Sequence, residues 1–251
     1  MPDIELQGEG SLAIVTIENA GKFNAMTRAM WRQLRAVFAE IQQGAWRCVL
    51  VRGAGGHFCA GGDISEYPTF RFAEESLRAF HEDEVWGGLA AMLECDVPIV
   101  AAIEGNCMGA GVEIACCCDI RIAAEDARFG APIAKLGFPM APREMQLVQR
   151  AAGDAVVREM LLAAAVLPAA RVHTLGFVQR LEPVGEVQQV ARKLAQRIAS
   201  FAPQAARLNK RTLREVAAAP VLDTRSAYDW AASSEHIEGI QAFLQKRTPQ
   251  F

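Results

Sequence analysis

Two glycine-rich turns, each placed directly after a short apolar segment, constrain the fold more than any other feature of the sequence. The first turn covers residues 53–63 (GAGGHFCAGGD) after the apolar run 48–51, and the second covers residues 105–111 (GNCMGAG) after the run 98–103. Short apolar strands that end in such turns and lead into helices are typical of alternating β and α units. The sequence therefore predicts an α/β fold with a mostly parallel sheet of buried strands.

The other segments agree with this alternation. Hydrophobic spacing and capping residues predict a strand at 11–18, a helix from the N-cap Thr27 to Gly44, a helix at 74–93, a helix at 111–118 and a strand at 119–123. From residue 185 onward the pattern is helical throughout. We therefore expect residues 1–195 to form the core and residues 196–251 to form a helical C-terminal region.

Composition and cysteine usage exclude several classes of protein. With 51% hydrophobic and 22% charged residues, the chain of 251 residues has the composition of a globular protein rather than of a disordered one. Its seven cysteines are odd in number and three are consecutive, at 116–118, which fits neither a disulfide framework nor a metal site. These three are expected to be inert buried hydrophobes. Reduced thiols and the absence of a long uninterrupted apolar segment predict a cytoplasmic protein that does not enter a membrane.

Charge is distributed unevenly along the chain. The net charge of the whole sequence is −3, yet residues 185–251 carry ten Lys and Arg against six Asp and Glu. Two interpretations of this basic tail are open: a solvated helix surface, or a docking face for an anionic ligand. The excess is small and has no interleaved aromatic residues, so no nucleic-acid partner is expected.

The glycine-rich turns suggest a chemistry of their own. A turn at the start of a helix presents free backbone N–H groups and the positive end of the helix dipole. Two such turns could donate two hydrogen bonds to one carbonyl oxygen and stabilise negative charge that develops on it. The alternative is that each is a tight turn that requires positive φ. Neither turn matches the dinucleotide or P-loop patterns.

Several motifs, in their order and spacing, resemble the crotonase, or enoyl-CoA hydratase/isomerase, superfamily over essentially the whole chain. They are KFNAM (22–26), FCAGGDI (58–64), GNCMGAGVEIACCCDIRIAAEDARFGAP (105–132) and LGF (136–138). The resemblance implies a spiral core of ββα turns and a helical C-terminal trimerisation region. It also implies an acyl-CoA substrate whose thioester oxygen lies between the N–H groups of Gly62 and Ala110, with Ala110 standing where the family usually has glycine.

The carboxylates separate the reactions of this superfamily. The resemblance implies that Glu113 is one of the two glutamates with which its hydratases position water, whereas the second position is Ile133. A single acid/base group favours enoyl-CoA isomerisation or restricted hydration. The alternatives are an acyl-CoA decarboxylase or hydrolase, or a catalytically silent acyl-CoA-binding subunit. The preferred interpretation of Arg143 and Glu144 is that they form the salt-bridged start of a surface helix. The alternative is that one of them enters the pocket and replaces the missing carboxylate.

Recognition of CoA and assembly are also implied by the resemblance. Lys22 is the candidate for a CoA phosphate, the backbone of Ala60 is the candidate for the adenine, and Asp63 is expected to shape the same loop. His57 and Glu66 flank this loop and are expected to be structural. No cofactor is expected apart from CoA as part of the substrate.

The tail is expected to complete the CoA site from a neighbouring subunit through Phe243 and Lys246. A homotrimer or hexamer is therefore expected. Its subunit contacts would bury apolar residues of the tail, namely Leu208, Leu213, Val216, Tyr228 and Trp230.

Overall fold

The computed structural model describes residues 2–218 and 229–251. In this part of the chain the strands are β1 (Asp3–Glu9), β2 (Leu12–Glu18), β3 (Cys48–Gly53), β4 (Ile99–Ile103), β5 (Asn106–Met108), β6 (Ile120–Ala124), β7 (Arg128–Gly130), β8 (Val166–Pro168) and β9 (Arg180–Glu182). The α-helices are α1 (Arg28–Gln43), α2 (Glu74–Ala79), α3 (Trp86–Glu94), α4 (Ala110–Cys117), α5 (Pro142–Ala152), α6 (Asp154–Leu162), α7 (Ala169–Thr174), α8 (Val187–Ala199), α9 (Pro203–Ala218) and α10 (Ser234–Leu244). None of the described helices is long and apolar enough to cross a bilayer.

Two sheets organise the molecule. Six strands form the larger sheet in the order β1-β2-β3-β4-β6-β9, and three form the smaller one in the order β5-β7-β8. All neighbours in the larger sheet are parallel except β1 and β2. The predicted α/β fold with a mostly parallel sheet is therefore confirmed. The sequence analysis missed β1, whose side chains are mostly exposed, and β5, which has three residues and lies inside a glycine-rich turn.

The predicted elements around the first turn are also found. Thr27 caps α1 by accepting a hydrogen bond from the N–H of Met30, and Gly44 ends the helix. The apolar face of α1 buries large side chains, among them Trp31 and Phe38, against the core. This packing fixes α1 beside the turn that follows β3.

The helix predicted at 74–93 is interrupted by a wider turn. A π-helical turn, Phe80–Val85, lies between α2 and α3. Such turns occur often at functional sites because they insert a residue and change which side chains share a face. Phe80, His81 and Val85 of this segment all line one cavity.

Basic residues of α9 bind the main body. From one face of α9, Lys210 donates to the carbonyl of Val97 and pairs with Asp119, while Arg211 and Arg214 both pair with Asp96. Arg214 also donates to the carbonyls of residues 93 and 94 at the C-terminal end of α3, where cations are favoured by the helix dipole.

The helical character predicted for the tail is confirmed for its described residues, since α8, α9 and α10 form most of it. The predicted boundary after residue 195 falls inside α8, which packs its small buried side chains against the larger sheet. Leu213 and Val216 are exposed in the single chain, whereas Leu208 is half-buried. Tyr228 and the side chain of Trp230 lie outside the described part of the structure.

Candidate active site

The two glycine-rich turns lie side by side. The N–H of Cys59 donates to the carbonyl of Asn106 at 2.9 Å, and the N–H of Met108 donates to the carbonyl of Cys59 at 2.8 Å. Gly61 and Gly109 follow with φ of +107° and +46°, values that favour glycine. A Cβ on Gly109 would lie 3.6 Å from the Cα of Gly61, so the two turns are in direct contact.

Two residues next to this contact line the same cavity and have backbone N–H groups without a protein acceptor in the described part of the chain. Gly62 and Ala110 both line it. Ala110 is the first residue of α4, so its N–H has no acceptor within the helix. Among the described residues, neither N–H donates a hydrogen bond to the protein. The turns thus leave two donors available to a ligand atom.

The segment 22–26 holds the first turn in place. The N–H of Met26 donates to the carbonyl of Gly61, the N–H of Asp63 donates to the carbonyl of Met26, and the N–H of Ala60 donates to the carbonyl of Phe23, at 2.8 to 3.0 Å. On the other side, the N–H of Gly109 donates to the carbonyl of Gly130 at 2.8 Å. The sequence motifs that lie far apart along the chain therefore meet at one site.

The cavity beside these donors has a volume of about 60 Å³. Its walls are largely apolar and aromatic, and they include Trp31, Tyr67, Phe80, Val85, Ile133, Phe138, Pro139 and Met140. Besides Tyr67, four titratable side chains interrupt this surface, namely Arg71, His81, Glu113 and Glu144. Such a pocket suits an apolar chain that carries a reactive polar group at one end.

Two carboxylates share the cavity, which corrects the sequence analysis. Glu113 comes from the first turn of α4 and Glu144 from the first turn of α5, and they are only 7% and 4% exposed. The preferred interpretation of Glu144 as a surface residue is wrong, and the alternative, that it enters the pocket, is correct. Because Glu144 lines the cavity, Glu113 is not the only carboxyl group among its lining residues, and Ile133 lines the same cavity.

Burial controls the protonation of Glu113. Removal of its carboxyl from water raises its pKa well above the usual range, and the negative charge of Glu144 raises that pKa further. No cation among the described residues opposes this effect. The raised pKa favours the protonated form of the Glu113 carboxyl over the ionised form.

Glu144 has a hydrogen-bonding partner that sequence analysis missed. The Nδ1 atom of His81 lies 2.7 Å from its Oε1 atom, while Nη1 of Arg71 lies 3.5 Å from Nε2 of the same ring. A guanidinium only donates, so we assign the ring proton to Nδ1, which donates to Glu144. His81 lies in the π-helical turn Phe80–Val85, and no sequence signal marked its position beside Glu144.

Arg143 behaves as predicted for a surface helix start. It pairs with Glu82 at 3.2 Å, stacks over Trp86 and does not line the cavity. Pro142 occupies the first turn of α5, as expected.

Residues predicted around the first turn form a polar cluster outside the cavity. Lys22 donates from Nζ to Asp63 at 2.7 Å and to Ser65 at 2.9 Å. Asp63 also caps the short 3₁₀ helix Ile64–Thr69. His57 accepts a hydrogen bond from the N–H of Asn106, and Glu66 accepts one from the N–H of Arg28, so both stabilise backbone.

The remaining predicted residues are separate from the cavity. Phe243 is largely exposed near the end of α10, and neither Phe243 nor Lys246 lines the cavity within a single chain. The three consecutive cysteines are buried, and burial raises the pKa of each thiol. Across residues 2–218 and 229–251, the acidic, His and Cys side chains form no cluster that could hold a metal ion.

Comparison with known proteins gives a consistent result. Residues 7–251 match the family model described as enoyl-CoA hydratase/isomerase. The chain is 30% identical to the 2,3-dehydroadipyl-CoA hydratase of Escherichia coli, over 100% of this chain and 99% of that protein. It is 29% identical to a probable enoyl-CoA hydratase of Mycobacterium bovis, over 99% of this chain and 97% of that protein.

Solved structures agree with these relatives. A crystal structure of an enoyl-CoA hydratase/carnithine racemase from Magnetospirillum magneticum is similar with a TM-score of 0.95 and 34% identity. The similarity covers 100% of this chain and 96% of that one.

Proposed function

Because this chain belongs to the enoyl-CoA hydratase/isomerase family, we propose that its acyl-CoA substrates are 2-enoyl thioesters and that reversible hydration is the reaction its cavity supports best. The observation that carries this proposal is the presence of two buried carboxylates, Glu113 and Glu144, in one cavity beside two free backbone N–H groups. Relatives named as hydratases support the same reaction class.

The proposed reaction begins at the thioester carbonyl. Its oxygen accepts hydrogen bonds from the N–H groups of Gly62 and Ala110, which stabilise the enolate as it forms. Glu144 removes a proton from water while the water oxygen bonds to C3 of the substrate. The electron pair of the double bond moves towards the thioester, and Glu113 then gives its proton to C2, which completes the addition of H and OH.

The assignment of the two roles follows from the surroundings of the carboxylates. The pKa of Glu113 is raised by burial and by the charge of Glu144, which favours its protonated form, so Glu113 is proposed as the donor. Glu144 accepts a hydrogen bond from His81, which is the arrangement expected around a carboxylate that accepts a proton.

A second candidate is migration of the double bond between carbons. It is favoured by Ile133, which lines the cavity where the resemblance places the second glutamate of hydratases. One ionised carboxylate can remove a proton from C2 and return it to C4, so this reaction needs Glu113 alone, in its ionised form, whereas the proposed hydration uses its protonated form.

The Glu144→Gln variant separates the two candidates. We expect it to lower the hydration of crotonyl-CoA by about 10²-fold or more if Glu144 activates water. Migration in a 3-enoyl-CoA would persist if Glu113 alone moves the proton. The matched control is Glu82→Gln, which changes a nearby glutamate that does not line the cavity. Binding of CoA esters without hydration, migration, decarboxylation or hydrolysis would instead indicate a silent acyl-CoA-binding subunit.

The CoA moiety is proposed to bind at the polar cluster next to the first turn. Lys22 is half-exposed and is held by Asp63, so Asp63 orients the ammonium for a phosphate. The backbone of Ala60 is proposed to contact the adenine. Lys22→Ala should weaken binding of CoA esters measured by calorimetry, with kcat little changed.

The C-terminal region is proposed to form a homotrimer or a hexamer. Leu213 on α9 and Leu244 on α10 are 72% and 73% exposed in the single chain, and a neighbouring subunit would cover such residues. Phe243 and Lys246 are then proposed to reach the CoA of that neighbour. Light scattering should give at least three times 27.2 kDa, and a fully active monomer would contradict the proposal.

A further inference from the structure

The wall of the cavity contains one cation, Arg71, that follows the 3₁₀ helix Ile64–Thr69. Its guanidinium carbon lies 3.7 Å from the centre of the Phe138 ring and 4.6 Å from the centre of the Tyr67 ring. The nearest polar side-chain atom is Nε2 of His81, at 3.5 Å from Nη1. The cation is therefore half-buried between two aromatic faces at the edge of an apolar pocket.

Arg71 has no ion-pair partner within the described part of the chain. Nearby arginines are paired, Arg28 with Glu84 at 2.6 Å and Arg143 with Glu82 at 3.2 Å. The carboxylate of Glu144 is bound to the other side of the His81 ring, so it does not take the guanidinium directly. Of the five N–H donors of Arg71, one makes a hydrogen bond to the residues that the structure describes, and that contact is long.

The lowered pKa of Arg71 agrees with this half-buried position without an ion-pair partner among the described residues. Burial lowers the pKa of Arg71, and the opposing effects of Tyr67 and of the Glu144 charge do not cancel it. A half-buried guanidinium with free donors gains most from a planar anion that accepts two hydrogen bonds at once.

Tyr67 links this cation to the two backbone donors. A Cβ on Gly62 would lie 2.3 Å from the Tyr67 hydroxyl oxygen, and Arg71 stacks on the ring of the same tyrosine. The guanidinium is thus separated from the proposed thioester position by about one tyrosine side chain. A short acyl chain that starts at Gly62 would bring its far end to Arg71.

We propose that Arg71 binds a carboxylate at the far end of a short acyl chain, so that the substrates are CoA monothioesters of unsaturated dicarboxylic acids. This inference rests on the proposed binding of the thioester at Gly62 and Ala110. Arg71 is a specificity residue in this role and takes no part in the proton transfers.

The test compares two thioesters of equal chain length, glutaconyl-CoA, which ends in a carboxylate, and 2-pentenoyl-CoA, which ends in a methyl group. The wild-type protein should favour glutaconyl-CoA in kcat/KM. Arg71→Met should lower kcat/KM for glutaconyl-CoA by about 10- to 10²-fold, mainly through KM, and should change it by less than about threefold for 2-pentenoyl-CoA. Arg71→Lys retains the charge and should lose less.

Arg143→Met is the matched control, because it removes an arginine that contacts Glu82 outside the cavity. It should leave the ratio of the two kcat/KM values unchanged. If Arg71→Met lowers kcat/KM equally for both thioesters, Arg71 serves only the His81 and Glu144 pair and the proposal is overturned. Wild-type preference for 2-pentenoyl-CoA would overturn it as well.

Calorimetric binding separates this inference from the proposed reaction. If neither thioester reacts, the proposed function fails, but tighter binding of glutaconyl-CoA that is lost in Arg71→Met would still support the inference. Equal binding of both thioesters to the wild type would contradict it. If Arg71→Met does not fold, Arg71→Gln gives the same comparison with a polar side chain.

Discussion

Two buried carboxylates, Glu113 in the cavity and Asp96 beneath the tail, have opposite surroundings. Asp96 is 4% exposed and accepts hydrogen bonds from Arg211 at 2.7 Å and Arg214 at 2.8 Å. Burial alone would raise the pKa of Asp96, but its hydrogen bonds to the two arginines and Gln42 outweigh that effect and lower it. Glu113 is buried almost as deeply and has no cation, so its pKa is raised.

The difference separates a structural role from a chemical one. An ionised carboxylate that bridges two arginines fixes α9 on the main body through charge-assisted hydrogen bonds. A carboxyl whose pKa is raised in an apolar cavity contributes little to holding the fold and fits the proposed role of proton donor. The two positions can be tested with the same substitution, carboxylate to amide.

Activity gives the largest expected contrast. Glu113→Gln should lower kcat for crotonyl-CoA hydration by about 10²- to 10⁴-fold, because the amide cannot give up a proton. Asp96→Asn should change kcat by less than about threefold, since it lies outside the cavity. Steady-state kinetics on the two folded variants measures this contrast. An equal decrease in kcat for both substitutions would contradict the distinction between a chemical role for Glu113 and a structural role for Asp96.

Removal of one backbone donor should have the next largest effect. Ala110→Pro deletes an N–H at the first position of α4, where proline is tolerated by a helix. The loss of one donor to the enolate should reduce kcat by about 10²- to 10³-fold. Circular dichroism serves as the control for folding, and unchanged kinetics in a folded variant would remove Ala110 from the site.

Stability should reverse the order of the two carboxylates. Asp96→Asn should lower the free energy of unfolding by about 1–2 kcal/mol, an estimate reduced because Arg211 and Arg214 are partly exposed. Glu113→Gln should change it by less than about 1 kcal/mol, because a neutral amide replaces a protonated carboxyl. Urea denaturation monitored by tryptophan fluorescence measures both values.

The smallest effect lies in the pH dependence of stability, and its sign differs between the two groups. The folded-state pKa of Asp96 is lowered, so its stabilising contribution is present above the unfolded pKa of 3.8 and is lost as the pH falls through the folded value. The folded-state pKa of Glu113 is raised, so stability declines as the pH rises above the unfolded pKa of 4.5.

Denaturation curves across this pH range would show both slopes. Asp96→Asn should remove the increase of stability with pH that is due to Asp96, and Glu113→Gln should remove the decrease that is due to Glu113. Slopes of equal sign would contradict the comparison.

The sequence predicted the parts of the site that depend on local backbone chemistry. The two glycine-rich turns, the helix start at Ala110 and the position of Glu113 one turn later all follow from short motifs. The larger sheet was predicted because its strands are apolar and separated by helices. Local sequence preference and the final fold agree in these segments.

What the sequence could not predict depends on packing between distant elements. Glu144 has the sequence context of an exposed helix start, yet α5 packs so that this side chain faces Glu113 across the cavity. Its partner His81 lies in the π-helical turn Phe80–Val85, far from Glu144 in sequence. The basic residues of α9 likewise gave no sign in sequence that they would bind Asp96 and backbone carbonyls of the main body.

The protonation state of Glu113 in the folded protein tests the account most directly. Infrared difference spectra at neutral pH, wild type minus Glu113→Gln, should contain the carbonyl stretch of a protonated carboxylic acid. The parallel spectrum for Asp96→Asn should contain the bands of an ionised carboxylate. Ionised bands for Glu113 at neutral pH would contradict its role as the proton donor and the distinction between the two buried carboxylates.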